Sequence, residues 1–286
     1  MKLRIDHITQ YDYSSVISLG VHKLYLLPQF RTYLSVSSQK LSISPQPLGM
    51  GDRIDLPGNS YKQTWFNDPT DFLKIRSELL IETKEFNPFG FIIDPDFLKG
   101  PTESGKPVFS YPSESPELIS PFVLLTEFAS AAGILDSLWK ESSGITDWLA
   151  KLTNLIYRNW THLIRHEENI WDPGFTFSNK GGSCRDLAWM EMMMLRQAGL
   201  ATRFVSGYAF NPNLDDGHEL HAWLEVYLPG AGWIGLDPSL GLLTDHRYIP
   251  LAIHPEPRQT LPVQGTFGGK ATANLHTRVN LELVKN

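Results

Sequence analysis

The spacing of hydrophobic residues changes along the chain and predicts strands near the N-terminus. Leu3, Ile5 and His7 alternate with charged or polar neighbours, and further extended segments lie around residues 35–44 and 72–83. Alternation with a period of two is typical of strands that bury one face. Clusters of Pro, Gly, Asn and Asp separate these segments and predict turns. The first 83 residues are therefore expected to form a small antiparallel β domain.

Helices are predicted after a proline-rich stretch. Residues 99–121 contain five prolines, which oppose a regular helix or a central strand and predict a surface connector. An amphipathic helix is then predicted by apolar residues at three- and four-residue steps: Trp148, Leu149, Leu152, Leu155 and Ile156. From 187 to 195 every residue except Glu191 is apolar, so a helix there is expected to be buried on all sides.

Strands return after this central helix, and the order of the elements predicts an α+β fold. Three strands are predicted at residues 203–210, 220–228 and 232–237, with Gly- and Pro-containing loops between them. We divide the chain into an N-terminal antiparallel β domain (1–98), a proline-rich connector (99–121), a core of helices and strands (122–255) and a C-terminal β tail (256–286).

The composition excludes several classes of protein. The chain has 286 residues with 25 Lys and Arg against 31 Asp and Glu, and the net charge of −6 disfavours nucleic acid as a partner. A single cysteine, Cys184, excludes internal disulfides and multi-cysteine metal sites. The charged N-terminus predicts no signal peptide, and Pro121 and Glu127 interrupt the longest apolar stretch. A cytoplasmic protein without membrane contact is therefore expected.

The predicted start of the central helix is suited to activate the cysteine. Ser183 is expected to cap this helix and Asp186 to reach back to it, which places Cys184 in the first turn. Unpaired backbone N–H groups there favour a thiolate, and pairing with an imidazolium can lower a thiol pKa from about 8.5 to about 3 to 4. Gly182 is expected to let a substrate backbone pass close by. The alternative is a small buried cysteine without a catalytic role.

A histidine and an aspartate on neighbouring strands are candidate partners of this thiol. His221 and Trp223 lie on the strand face opposite the aliphatic even-numbered residues, and Asp237 lies on the corresponding face of the next strand. A three-residue hairpin loop at 228–230 pairs residues whose numbers sum to 458, which sets His221 opposite Asp237, although other registers stay open. Asp237 is then expected to orient His221. Trp223 is predicted to contact the substrate.

No metal and no cofactor are predicted. His162 and His166 are four residues apart, but no third ligand is evident, so a solvated face is the interpretation. His218 and His221 are three residues apart and point to opposite faces of a strand. Neither a Gly-x-Ser-x-Gly nor a Gly-x-Gly-x-x-Gly motif occurs.

Blocks of sequence around these residues are similar to the bacterial transglutaminase-like superfamily. The segments that carry the resemblance to the core of that family are 182–188, 195–208, 221–229 and 232–238. The opening at 5–13 resembles the β-rich region that precedes this core in bacterial members, and the tail at 245–265 also resembles theirs.

The resemblance implies a papain-like α+β core with a catalytic triad formed by Cys184, His221 and Asp237. Family members often have Gln or Trp directly after the cysteine, whereas Arg185 stands here. A cation beside the thiolate is expected to lower its pKa further or to select an acidic group of the substrate. No second oxyanion donor carries over from the family.

The predicted function is hydrolysis of peptide or amide bonds through a thioester, with a peptide or protein substrate. Hydrolysis is favoured because bacterial members are usually interpreted as proteases. Transfer of the acyl group to an amine shares the same first half-reaction and stays an alternative. A binding scaffold without turnover is a second alternative, which an intact set of Cys184, His221 and Asp237 opposes. No oligomeric state is assigned.

Overall fold

The computed structural model describes residues 1–101, 107–126, 128, 131–165, 167, 169–212 and 220–284. The strands are, in chain order, β1 (Lys2–Leu24), β2 (Leu34–Ser44), β3 (Gly49–Ile54), β4 (Ser60–Trp65), β5 (Thr70–Thr83), β6 (Leu98–Pro101), β7 (Pro107–Phe109), β8 (Thr161–His162), β9 (Gly181–Gly182), β10 (Thr202–Ala209), β11 (Leu220–Leu228), β12 (Gly232–Asp237), β13 (Leu242–Leu243), β14 (Tyr248–His254), β15 (Val263–Gly268) and β16 (Ala273–Leu283).

In the order of the chain, the α-helices follow β5 and precede β10. They are α1 (Pro116–Val123), α2 (Ala132–Lys140), α3 (Ile145–Asn159), α4 (Pro173–Asn179) and α5 (Cys184–Gln197), and a short 3₁₀ helix covers Pro257–Thr260. Among the helices of the described residues, none is long and apolar enough to cross a membrane.

The N-terminal sheet is organised around the long strand β1. Its strands follow the order β2-β5-β1-β4-β3, and β15 and β16 from the C-terminus also pair with β1. The first half of β1 pairs with β5 and β16, and the second half pairs with β4 and β15. Leu3 and Ile5 are fully buried, as expected for a strand with one covered face. The predicted C-terminal β tail therefore closes the N-terminal sheet.

The proline-rich stretch differs from the expected connector without regular structure. It contains the antiparallel strand pair β6-β7 and the helix α1. The side chain of Ser115 caps α1 by accepting a hydrogen bond from the N–H of Leu118. Pro116 occupies the first turn, where the missing N–H of a proline has no helical partner to lose. Pro121 lies inside the helix, where its missing N–H removes one backbone hydrogen bond, and α1 ends two residues later at Val123.

The core packs α5 against a five-stranded antiparallel sheet with the order β13-β12-β11-β10-β14. Nearly every residue of α5 is buried, as the sequence predicts. The even-numbered residues Leu224 and Val226 of β11 belong to the apolar cluster that α5 completes. This packing of a helix on an antiparallel sheet confirms the predicted α+β class.

Apolar and charged contacts join the two sheets. One apolar cluster combines Leu3, Ile5, Leu79, Ile81, Val279 and Leu281 of the N-terminal sheet with Tyr208, Ile249 and Leu251 of the core. Beside it, Glu225 of β11 accepts hydrogen bonds from Arg31 at 2.8 Å and from Arg203 at 2.6 Å. The N-terminal sheet therefore braces β10, β11 and β14, and β11 carries His221.

Candidate active site

A capping carboxylate fixes the start of α5 at Cys184. The Oδ2 atom of Asp186 accepts hydrogen bonds from the backbone N–H of Ser183 at 2.8 Å and from its hydroxyl at 2.7 Å. Arg165 holds the same oxygen at 2.6 Å. Because the cap is closed in this way, Cys184 occupies the first helical position, where backbone N–H groups lack helical partners.

The thiol of Cys184 is half-buried and contacts two imidazoles. Both His221 and His162 hydrogen-bond it. Burial raises the pKa of the Cys184 thiol, whereas the charge of His221 and the hydrogen bonds from His162 and His221 lower it, and the net result is a pKa of about 6. A large part of this thiol is therefore ionised at neutral pH.

Asp237 stabilises the positive charge on His221. The Nε2 atom of His221 lies 2.7 Å from Oδ2 of Asp237, which leaves Nδ1 of the ring for the sulfur of Cys184. Burial lowers the pKa of His221, but the charges of Asp237 and Cys184 raise it well above its ordinary value. A thiolate and an imidazolium are thus the stable pair.

Four donors hold the Asp237 carboxylate in its charged form. Besides His221, Oδ2 accepts a hydrogen bond from the hydroxyl of Tyr248 at 2.7 Å. The other oxygen, Oδ1, accepts from the N–H of Ser239 at 2.9 Å and from its hydroxyl at 2.6 Å. Burial raises the pKa of Asp237, but the charge of His221 and the hydrogen bonds outweigh this effect and lower it. The carboxylate is fully buried and keeps its charge.

The hairpin between β11 and β12 has a different register from the one considered in the sequence. Leu228 pairs with Gly232 around a three-residue loop, so paired residues have numbers that sum to 460. Leu228 is fully buried with the other aliphatic residues of its strand face and stays in the sheet, which moves the loop by one residue. Continuing this register sets Asp237 opposite Trp223. His221 reaches Asp237 diagonally on the same face.

Trp223 lies behind the site and does not offer the substrate contact predicted for it. Its side chain is only 1% exposed and packs with Val205, Tyr248 and Ile253. The ring stacks beside that of His221, with centroids 6.4 Å apart, and meets Tyr248 edge-on at 5.2 Å. Trp223 therefore packs against the rings of His221 and Tyr248 and restricts the movement of both.

Gly182 is also buried, and its lack of a side chain serves internal packing. A Cβ atom at this position would lie 2.8 Å from Cβ of Asp186 and 3.2 Å from Cγ2 of Thr176. The glycine therefore makes room for the capping carboxylate, and this contact differs from the predicted passage for a substrate backbone.

Arg185 binds a neighbouring loop. Its guanidinium donates to the backbone carbonyl oxygens of Glu167 and Asn169, the latter at 3.3 Å. These contacts orient its charge toward the loop that follows β8, whereas the sequence predicted an effect on the thiolate or on an acidic substrate group. The shift of the Cys184 pKa is explained by His221 and His162.

Sequence reasoning missed His162 at the site, and also Tyr248 and Ser239, which donate to Asp237. The sequence predicted a solvated face for His162 with His166, which lies outside the described residues. His162 is exposed, as that interpretation expects, but α3 ends at Asn159 and His162 lies in β8, where it pairs in parallel with Gly182 of β9. Two-residue strands carry no detectable alternation, so no sequence signal indicated this pairing. In the part of the chain that the structure describes, no cluster of His, Cys, Asp and Glu is suited to hold a metal ion.

Comparisons with known proteins identify two family regions in the chain. Residues 3–82 match the family model of the bacterial transglutaminase-like N-terminal region, and residues 134–238 match that of the transglutaminase-like superfamily. The second range includes Cys184, His221 and Asp237.

Similar proteins occur in several bacteria. An uncharacterized protein of Mycobacterium tuberculosis is 24% identical over 267 residues, with 87% of this chain and 82% of that protein covered. The protein-glutamine gamma-glutamyltransferase of Pseudomonas aeruginosa is 35% identical over 72 residues, with 23% of this chain and 11% of that enzyme covered.

A solved structure shares the fold of the whole chain. The crystal structure of a "Putative Cysteine Protease" from Cytophaga hutchinsonii has a TM-score of 0.70 and 17% sequence identity, with 100% of this chain and 92% of that chain covered. The likeness includes the N-terminal sheet as well as the core, and it confirms the fold predicted from the resemblance.

Proposed function

Because the chain belongs to the transglutaminase-like superfamily, we propose that it is a cysteine-dependent hydrolase of peptide or amide bonds. The observation that carries this proposal is the line of hydrogen bonds from Cys184 through His221 to Asp237, together with a thiol pKa of about 6. Such a thiolate is a strong nucleophile at neutral pH.

The first half-reaction forms a thioester. The thiolate of Cys184 attacks the carbonyl carbon, and the carbonyl π electrons move to oxygen to give a tetrahedral intermediate. When this intermediate collapses, the C–N bond breaks and the imidazolium of His221 donates its proton to the leaving amine. Asp237 keeps the ring oriented while its charge changes.

The second half-reaction releases the acyl group to water. Neutral His221 accepts a proton from water as the water oxygen attacks the thioester carbon. The C–S bond then breaks, the product leaves as a carboxylic acid that loses its proton to solvent, and the thiolate–imidazolium pair is restored. The half-buried position of Cys184 and the exposed His162 beside it support access of water to this thioester.

Acyl transfer to an amine is the second candidate. It is supported by the local match to the protein-glutamine gamma-glutamyltransferase, which is 35% identical over 72 residues. The two reactions share the acyl-enzyme and differ in whether water or an amine attacks it. A binding scaffold would form no acyl-enzyme at all.

Product analysis separates these functions. The protein is incubated with a library of peptides in isotope-labelled water, with and without a small primary amine such as glycine methyl ester. Hydrolysis predicts labelled oxygen in new peptide carboxylates, even when the amine is present. Amine-capped products in place of carboxylates would favour transfer. Equal product from Cys184→Ala and the unmodified protein would contradict both enzymatic functions.

A further inference from the structure

Two imidazoles from different elements meet at one sulfur. His221 belongs to β11 of the five-stranded sheet, whereas His162 belongs to β8 of the small parallel pair β8-β9. A Cys-His-Asp mechanism needs only the first of these rings for its proton transfers. The second ring therefore has a role that the proposed reaction steps do not use.

The backbone holds His162 in register with the helix start. The N–H of Thr161 donates to the carbonyl oxygen of Lys180 at 2.9 Å, and the N–H of Leu163 donates to the carbonyl oxygen of Gly182 at 2.9 Å. His162 lies between these two bonds and pairs directly with Gly182, two residues before Cys184. Its ring is therefore positioned by main-chain bonds on both sides.

The surroundings of the two rings differ. His221 is 15% exposed and is backed by the buried carboxylate of Asp237, as a proton carrier requires. His162 is exposed and contacts the thiol from a position that a substrate can reach. A ring in this position is suited to contact the substrate.

The chemistry of the first intermediate indicates what this contact is. When the thiolate attacks a carbonyl, the negative charge moves from sulfur to the carbonyl oxygen, one bond beyond the new C–S bond. This oxygen lies two bonds from the sulfur, so a donor that hydrogen-bonds the sulfur before attack is near it afterwards. The backbone N–H of Cys184, at the first helical position, is a natural first donor.

We propose that His162 is the second oxyanion donor, so that its ring N–H and the backbone N–H of Cys184 together bind the developing oxyanion. The inference rests on the proposed function, because an oxyanion forms only if Cys184 attacks a carbonyl. Removing one such donor from an oxyanion hole lowers kcat by about a hundredfold to a thousandfold in a well-studied protease.

The test compares a reaction that forms an oxyanion with one that does not. Acetylation of Cys184 by p-nitrophenyl acetate passes through an oxyanion, whereas alkylation by iodoacetamide is a direct displacement at carbon. Both rates are measured at about pH 8, above the pKa of the thiol, for the unmodified protein, His162→Leu and His162→Gln. His276→Leu is the matched control, since His276 is 64% exposed on β16.

His162→Leu is expected to lower the acetylation rate about a hundredfold and to change the alkylation rate less than about threefold. His162→Gln keeps an N–H donor and is expected to recover part of the loss, and His276→Leu is expected to leave both rates unchanged. Thermal unfolding checks that each variant folds.

The outcomes distinguish this inference from the proposed function. If the unmodified protein forms the acetyl-enzyme and His162→Leu forms it at the same rate, the oxyanion role of His162 is overturned and the proposed function stands. Equal loss of acetylation and alkylation would show that His162 serves thiolate formation, which also overturns the oxyanion role. An unmodified protein that forms no acetyl-enzyme would overturn the proposed function and the inference with it.

Discussion

Two fully buried carboxyl groups near α5 differ in charge: one is ionised and the other is neutral. Asp237, beside the start of the helix, accepts hydrogen bonds from four donors, and its pKa is lowered despite its burial. Glu191, two turns along the helix, contacts Thr153 at 2.7 Å through Oε1, while among the described residues Oε2 has no partner. Burial raises the pKa of Glu191 to about 8; the hydrogen bond with Thr153 lowers it, and the charge of Asp237 raises it.

Neighbouring groups, rather than depth, decide the charge of these two carboxyl groups: Asp237 lies beside the charge of His221 and accepts from four donors, whereas Glu191 has one hydrogen bond and is repelled by the charge of Asp237. The Oγ atom of Thr153 lies 2.7 Å from Glu191 and 3.0 Å from the carbonyl oxygen of Leu149. A hydroxyl has one proton, so a protonated Glu191 is able to supply the second bond. The protein keeps Glu191 neutral in the core and surrounds Asp237 with donors, which concentrates charge at the candidate active site.

Asp237→Asn removes the charge of the ionised carboxyl group and has the largest expected effect. The amide keeps the shape of the carboxylate but removes the charge that stabilises the His221 imidazolium, so turnover is expected to fall about a thousandfold to ten-thousandfold. The rate of substrate cleavage checks this, with thermal unfolding as the control for folding. Turnover within threefold of the unmodified protein would show that Asp237 does not support His221.

Glu191→Gln replaces the neutral carboxyl group with an amide and is expected to change the free energy of unfolding. The folded-state pKa of about 8 lies above the ordinary 4.5, so folding binds a proton and the free energy of unfolding decreases as pH rises from about 4.5 to about 8. Glutamine removes this loss, and the variant is expected to become more stable than the unmodified protein by on the order of a few kcal/mol at pH 8.

Denaturant unfolding at pH 5 and pH 8 measures this difference. The gap between Glu191→Gln and the unmodified protein is expected to be larger at pH 8 than at pH 5, and turnover at pH 7 is expected to stay nearly the same. A gap that does not depend on pH would mean that Glu191 is already ionised in the folded protein.

Tyr248→Phe tests the contribution of a single donor, because it removes one of the four hydrogen bonds to Asp237. A single hydrogen bond to a charged group contributes about 1.5 to 3 kcal/mol, so turnover is expected to decrease about tenfold to a hundredfold if nearly all of that energy supports the charged site. Ser239→Ala removes a hydroxyl donor from the other oxygen and is the matched variant. Unchanged turnover in both variants would contradict the role of the donors.

Much of the fold and site follows from local sequence patterns. The alternation in β1, the apolar helix α5 and the cap formed by Ser183 and Asp186 were all visible in the sequence. The register of β11 and β12 differs by two in the sum of paired residues, yet a shift of this size keeps His221 and Asp237 on the same strand face. A period-two pattern therefore predicts the face correctly and leaves the register open.

The rest depends on contacts between distant segments. Trp223 is covered by Tyr248 and Ile253, which come from a strand added later in the chain. His162 reaches the thiol through a parallel pair of two-residue strands, which no local pattern indicates. The domain boundaries, the peptide or protein substrate and the cytoplasmic location stay predictions.

The most direct test of the account is the pH dependence of Cys184 alkylation by iodoacetamide. Cys184 is the only cysteine of the chain, so the reaction reports this thiol alone. The rate is expected to rise with pH through an inflection at about 6, and His221→Ala is expected to move the inflection upward toward the ordinary range of thiols. An inflection near 8.5 in the unmodified protein, unchanged in His221→Ala, would contradict the thiolate–imidazolium pair on which the proposed function rests.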